Sequence, residues 1–207
     1  MGDFSDAAAD YQKSADLDKK FVYSQVQLGV AQYKLGQVKD SLVTFRKCIK
    51  NFKNSAEVFN YYGEILLDQG NFQEALQKFE TAIELEKSAA SNGAKVRNVM
   101  PLVNRAVLYL QWKKDAKEAE QCLREALKCT IFNEEKLIEV DPESDLAIAT
   151  LAQILLQEGR APEALEYFDK AVELGRTEQE LVSALSYAEV SLYTSLLMYR
   201  PPGLNSM

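Results

Sequence analysis

The chain has 207 residues, 47% of them hydrophobic and 27% charged, with a net charge of −7. This is the composition of an ordinary folded protein, and its acidic balance disfavours nucleic acid and anionic lipid, whose phosphates require clustered Lys and Arg. The absence of histidine removes His-based triads, His general bases and the usual zinc sites, and no stretch has the length and apolarity of a spanning helix.

Taken in order, Gly2 to Asp18 reads as a turn and one helix, with Phe4, Ala7, Tyr11, Ser14 and Leu17 where a second helix of a pair would carry them. Residues 1–20 are therefore half a repeat, and its missing partner helix predicts that further repeats precede it. The next two units are regular. Helices are expected near Val22–Leu35 and Val38–Asn51 (repeat 22–53), then near Ala56–Gln69 and Phe72–Glu86 (repeat 56–87), with apolar residues at three- and four-residue steps. Gly29 and Gly63, Gly36 and Gly70, Phe45 and Phe79, and Cys48 and Ala82 are each 34 residues apart. A 34-residue period with these residue types resembles the tetratricopeptide helix–turn–helix repeat. The small residue of the first helix lets the second approach, and a glycine between them tolerates the turn.

Residues 88–98, with Ser-Ala-Ala-Ser-Asn-Gly, read as a surface loop. A fourth repeat (99–140) opens around Val99–Pro101, its first helix running to about Trp112 and its second marked by Ala119, Leu123 and Ala126. Lys113-Lys114-Asp115 replaces the turn glycine. Asp141-Pro142 arrives 11 residues late. That is close to three helical turns, so Thr130–Val140 either lengthens the helix without rotating its apolar face or forms a protruding loop. Repeat five (144–175) has helices near Asp145–Gln157 and from Pro162, with Gly159 between them. Thr177-x-x-Glu180 is a capping box opening a final covering helix, 177–199. The fold class is thus all-α: a tetratricopeptide-repeat superhelical solenoid of about four and a half repeats plus a capping helix.

Catalytic chemistry finds no foothold. There is no GxGxxG, P-loop or GxSxG pattern, and Glu118/Glu120 and Glu134-Glu135 read as solvated faces rather than paired acids in a desolvated pocket. Cys48, Cys122 and Cys129 form no CxxC pair and read as buried thiols. No cofactor or metal is expected. Function should instead lie on the inner wall that first helices of stacked repeats create.

Counting along the repeats, that wall carries Tyr23, Val26, Val30, Tyr33 and Lys34, then Glu57, Asn60, Glu64, Leu67 and Asp68. It continues with Val103, Asn104, Val107, Leu110 and Gln111, and with Ala149, Gln153, Leu156 and Gln157. Twelve of these are the candidate peptide-binding residues: Val26, Val30, Tyr33, Asn60, Glu64, Leu67, Val103, Asn104, Val107, Leu110, Gln111 and Gln153. Val26, Val103 and Leu156 could equally pack against a neighbouring repeat. Asn60 and Asn104 could hydrogen-bond a peptide backbone. The wall has one Lys and no Arg, so it lacks the basic set that grips an acidic chain terminus and suits an apolar peptide with basic neighbours.

Met100-Pro-Leu-Val-Asn-Arg-Ala106, Ala119-Glu120, Asp141-Pro142, Leu151-Ala-Gln153 before Glu163-Ala-Leu165, and Ala184-Leu-Ser-Tyr-Ala-Glu189 resemble the C-terminal repeats of one receptor family. These are the seventy-kilodalton import receptors of the mitochondrial outer-membrane translocase. The resemblance covers roughly Gly2 to Glu189. It implies a non-enzymatic receptor at the cytosolic face of the outer membrane that binds hydrophobic or presequence-like precursor segments and works with other translocase subunits. Chaperones would dock only on repeats upstream. Two departures are the length of Thr130–Val140 and the end, Tyr193 to Met207. The other reading is a tetratricopeptide scaffold or co-chaperone of a different complex.

Overall fold

In the computed structural model, residues 2–92, 98–131 and 142–174 are described. All regular structure among them is helical: α1 (Gly2–Leu17), α2 (Val22–Lys34), α3 (Val38–Asn51), α4 (Ala56–Asp68), α5 (Phe72–Ser91), α6 (Met100–Leu108), α7 (Ala116–Ile131), α8 (Pro142–Gln157) and α9 (Ala161–Leu174), with a π-helical turn at Tyr109–Lys113. The chain divides into two units, Met1–Trp112 and Lys113–Met207.

In the first unit, α2 packs against α1 and α3, and α4 against α5. The first helices of successive repeats also touch, α2 on α4 and α4 on α6. The 34-residue spacing has a direct physical cause here. A Cβ on Gly29 would lie 2.6 Å from Phe45 Cε2, and one on Gly63 2.5 Å from Phe79 Cε1. Both phenylalanines are fully buried, so only glycine lets each ring slide against the preceding helix. Phe45 stacks on Tyr62 across the repeat junction, with ring centroids 5.5 Å apart and planes within 3°. Val26, Val58, Phe79 and Leu108 join them in one core.

The turns follow one recipe. Gly36 and Gly70 adopt φ of 77° and 72°. Each closes its helix with a pair of bonds: Gly36 N to Tyr33 O and Gln37 N to Gln32 O, then Gly70 N to Leu67 O and Asn71 N to Leu66 O. This is the Schellman stop, which needs a left-handed residue and therefore favours glycine. In the second unit Gly159 repeats it at φ 77°. Here α8 packs on α7 and α9 over buried Leu123, Leu151, Leu155 and Phe168.

Three boundaries differ from the sequence reading. The helix α5 runs through Ser88–Ser91, where a loop is expected, because Ala89 and Ala90 are among the best helix formers. The first helix of repeat four ends its α-helical part at Leu108 and continues as the π turn. Lys114, at φ 54°, then occupies the left-handed position a glycine takes elsewhere. The helix α8 begins at Pro142, a residue suited to a first turn. Thr130 and Ile131 close α7; 132–140 and the covering helix 177–199 lie outside the described residues.

Candidate peptide-binding site

Helical geometry puts Asn60, Glu64 and Leu67 on one side of α4, Val30 and Tyr33 on one side of α2, and Asn104 and Val107 on one side of α6. These three helices touch in order, so the residues meet on a common wall of the first unit. Its centre is a polar cluster made entirely of candidate residues. Asn60 Nδ2 donates to Glu64 Oε1 at 2.8 Å, one turn along α4. Asn104 Nδ2, from α6, donates both to Glu64 Oε1 at 2.7 Å and to Asn60 Oδ1 at 3.0 Å. Because a carboxylate only accepts, both amides must turn their NH2 groups toward it, which fixes their orientation.

Burial pushes the Glu64 carboxyl above the ordinary glutamate range. The amide bonds from Asn104 and Asn60 and the charge of Lys34 offset only part of that. Amides carry no full charge, so they stabilise the anion less than an arginine would. Glu57, two turns earlier on α4, is also raised by burial. At the other end of the wall, Tyr33 Oη donates to Asp68 Oδ2 at 2.5 Å. This bond, with burial second, pushes the Tyr33 hydroxyl up to about 12.

The other candidates differ in how much surface they keep. Val30, Tyr33 and Leu67 are partly buried and pack against the core while keeping some surface. Val107 and Leu110 are partly buried, and Gln111 is exposed on the π turn. Val26 and Val103 are 0% exposed, so they are packing residues with no surface to offer a ligand. Of the two roles open to them in the sequence, the core role is theirs. Asn60 is 4% exposed and its amide is engaged by Glu64 and Asn104, so it orients its neighbours rather than reaching a peptide backbone. Gln153 lies partly buried on α8 of the second unit.

The second unit carries a different charged cluster. Glu120 is not on a solvated face: its side chain is 14% exposed and held by two arginines. Arg124 Nε donates to Glu120 Oε1 at 2.7 Å, and Arg160 Nη1 donates to Oε2 at 2.7 Å. Arg160 also grips Glu163 through two bonds, and Arg124 Nη1 donates to Tyr167 Oη at 3.0 Å. Burial would raise Glu120, but the guanidinium bonds outweigh it and hold the carboxyl below its usual range. Glu163 is lowered chiefly by its bond from Arg160. The signal for this cluster was present in the sequence: Glu120 and Arg124 are one helical turn apart, and Arg160 follows the turn glycine three residues before Glu163.

Comparison with known proteins agrees with this architecture. Tetratricopeptide-repeat models match residues 23–55, 54–131 and 135–178. The mitochondrial import receptor subunit TOM70 of Rattus norvegicus is 28% identical over 193 residues, covering 90% of this chain and 28% of that protein. The Saccharomyces cerevisiae TOM70 is 30% identical over 166 residues, covering 80% of this chain and 25% of that protein. The chain thus spans about a quarter of the length of the curated relatives it matches. The crystal structure of yeast Tom70 superposes with a TM-score of 0.80 at 28% identity, over 97% of this chain and 39% of that one. TTC0263, a tetratricopeptide protein of Thermus thermophilus, superposes with a TM-score of 0.68 at 18% identity, over 93% of this chain and 92% of that one, a likeness of fold alone. The chain belongs to the tetratricopeptide-repeat family, and within it is similar to the part of the import receptor subunit TOM70 that these matches span.

Proposed function

We propose that the chain is a non-enzymatic receptor module whose α2–α4–α6 wall binds hydrophobic segments of mitochondrial precursor proteins at the cytosolic face of the outer membrane. The observation that carries this reading is the coincidence of two facts. The relatives it matches along most of its length are import receptor subunits. The same chain has Val30, Leu67, Val107 and Leu110 partly exposed on α2, α4, α6 and the π turn that follows it, and of these segments α4 and α6 hold one largely buried polar cluster. Apolar anchors on either side of a few fixed polar groups are the ordinary composition of a peptide site. Burying three or four aliphatic groups at about 1.5–3 kcal/mol each is largely offset by the cost of association, so affinity on the order of micromolar is expected. Such weak, reversible binding suits a receptor that hands its cargo to other translocase subunits.

The test is a fluorescence-anisotropy titration of a labelled hydrophobic carrier-derived segment. Leu67→Asp should weaken binding by at least about tenfold, since it buries a charge against the apolar ligand. Val43→Asp, on the exposed face of α3, should leave it unchanged. Saturable binding that ignores Leu67→Asp and responds to Val43→Asp would move the site off this wall.

A further inference from the structure

The hydrogen bonds of the wall share one polarity. In the central cluster the amide donors turn inward, onto Glu64 and Asn60, and the Tyr33 hydroxyl turns onto Asp68. Asn104 uses both hydrogens of its NH2, one on Glu64 and one on Asn60. Asn60 gives its NH2 to Glu64, and Tyr33 gives its hydroxyl to Asp68. On the partly exposed Glu64 and Asn104 side chains, what remains is acceptors. Among the described residues no donor reaches Glu64 Oε2 or Asn104 Oδ1, and both side chains are partly exposed. Lys34 acts on Glu64 only through space, with no ion pair between them among the described residues.

We infer that Glu64 Oε2 and Asn104 Oδ1, on side chains bonded to each other across α4 and α6, form an acceptor-only subsite that seats a lysine ammonium or arginine guanidinium of the bound segment. This rests on the peptide-binding reading above and makes it chemically specific. A carboxylate-bearing ligand is rejected, because it finds acceptors where it needs donors. A cationic head on an apolar segment supplies the donors, and with them the positive charge that a buried glutamate lacks. Asn60 is then a positioning residue: it holds the Glu64 side chain in place, and Asn104 locks it from the next repeat.

The probe is a synthetic amphipathic helical peptide with an apolar face and one central lysine, compared with the same peptide carrying norleucine or glutamate there. Norleucine keeps the aliphatic stem and removes only the charged head. The lysine peptide should bind about tenfold or more tightly than the norleucine peptide, and the glutamate peptide more weakly still. In Glu64→Gln, the outward atom becomes a donor, so the lysine advantage should vanish while norleucine binding persists. In Glu64→Lys, the glutamate peptide should recover affinity as the lysine peptide loses it. If that variant fails to fold by circular dichroism, the Glu64→Gln comparison decides alone. Equal binding of lysine and norleucine peptides to the unaltered protein overturns this subsite and leaves the groove reading intact. Failure of all three peptides to bind overturns the groove reading, and the subsite with it.

Discussion

Glu64 and Glu120 pose the same physical problem in two units of one chain, and the two units answer it in opposite ways. Each is a helical carboxylate that is largely buried and bonded to residues some forty positions along the chain. Glu120 receives two guanidinium groups, and its pKa falls. Glu64 receives two amides, and its pKa rises. The first arrangement neutralises the charge internally, so it serves to lock α7 to the start of α9. The second fixes the position of a charge without neutralising it, which is the condition for a binding group. The difference lies in the formal charge of the donors, since both carboxylates are well hydrogen-bonded.

The contrast depends on the helix pairs being seated as described, and breaking that seating should have the largest effect. Gly63→Ala would place a methyl 2.5 Å from the fully buried Phe79 ring, which has nowhere to retreat. A loss of about 1–3 kcal/mol in urea unfolding is expected, as for other overpacked cores. Unchanged stability would mean that the ring is less tightly held than the geometry indicates.

The next test separates the carboxylates by sign. A glutamate whose folded pKa is raised stabilises the protein most below its unfolded pKa, and that contribution is lost as pH rises through the folded value. Glu64→Gln should therefore raise Tm at pH 7, with the gain closing as pH falls below the ordinary glutamate range. A glutamate whose folded pKa is lowered stabilises above its unfolded pKa and loses that contribution as pH falls through the folded value. Glu120→Gln should accordingly lower Tm at pH 7, and the deficit should close on acidification. Thermal melts of both variants from pH 3 to 8 would erase the comparison if the two shifted Tm in the same direction.

The smallest expected effect concerns the one turn that departs from the glycine rule. Lys114 holds φ 54°, where an L-residue pays about 1–2 kcal/mol that glycine avoids, part of it returned as glycine's greater freedom in the unfolded chain. Lys114→Gly should stabilise by about 0.5–1 kcal/mol in denaturant unfolding. A loss instead would indicate that the lysine side chain contributes a contact worth more than the strain.

Much of the frame was legible in the sequence because it depends on local rules. Gly36, Gly70 and Gly159 stop helices through bonds within six residues, and the Gly–Phe packing repeats at a fixed period. The end of α5 is hidden in the sequence because turn-favouring serines and an asparagine flank the two alanines that carry the helix on to Ser91. The π turn has no composition of its own; it absorbs a turn of unusual length ahead of Lys114. At the site, residue counting found Asn60, Glu64 and Asn104 but not their bonding, since Asn104 meets Glu64 across 40 residues of chain. Counting also could not separate Val30, which keeps surface, from Val26, which keeps none. The two lie one helical turn apart, and only the packing of α3 and α4 distinguishes them.

The most direct test is a carbon-detected NMR titration of the glutamate side-chain carboxyls in the full chain, with Glu64 and Glu120 assigned from their Gln variants. The Glu64 carboxyl should titrate above the ordinary glutamate value of about 4.3 and Glu120 below it. Addition of the lysine-bearing peptide should draw Glu64 downward and leave Glu120 where it was. A Glu64 that titrates at or below the ordinary value in the free protein would contradict the claim that its charge is held without being neutralised.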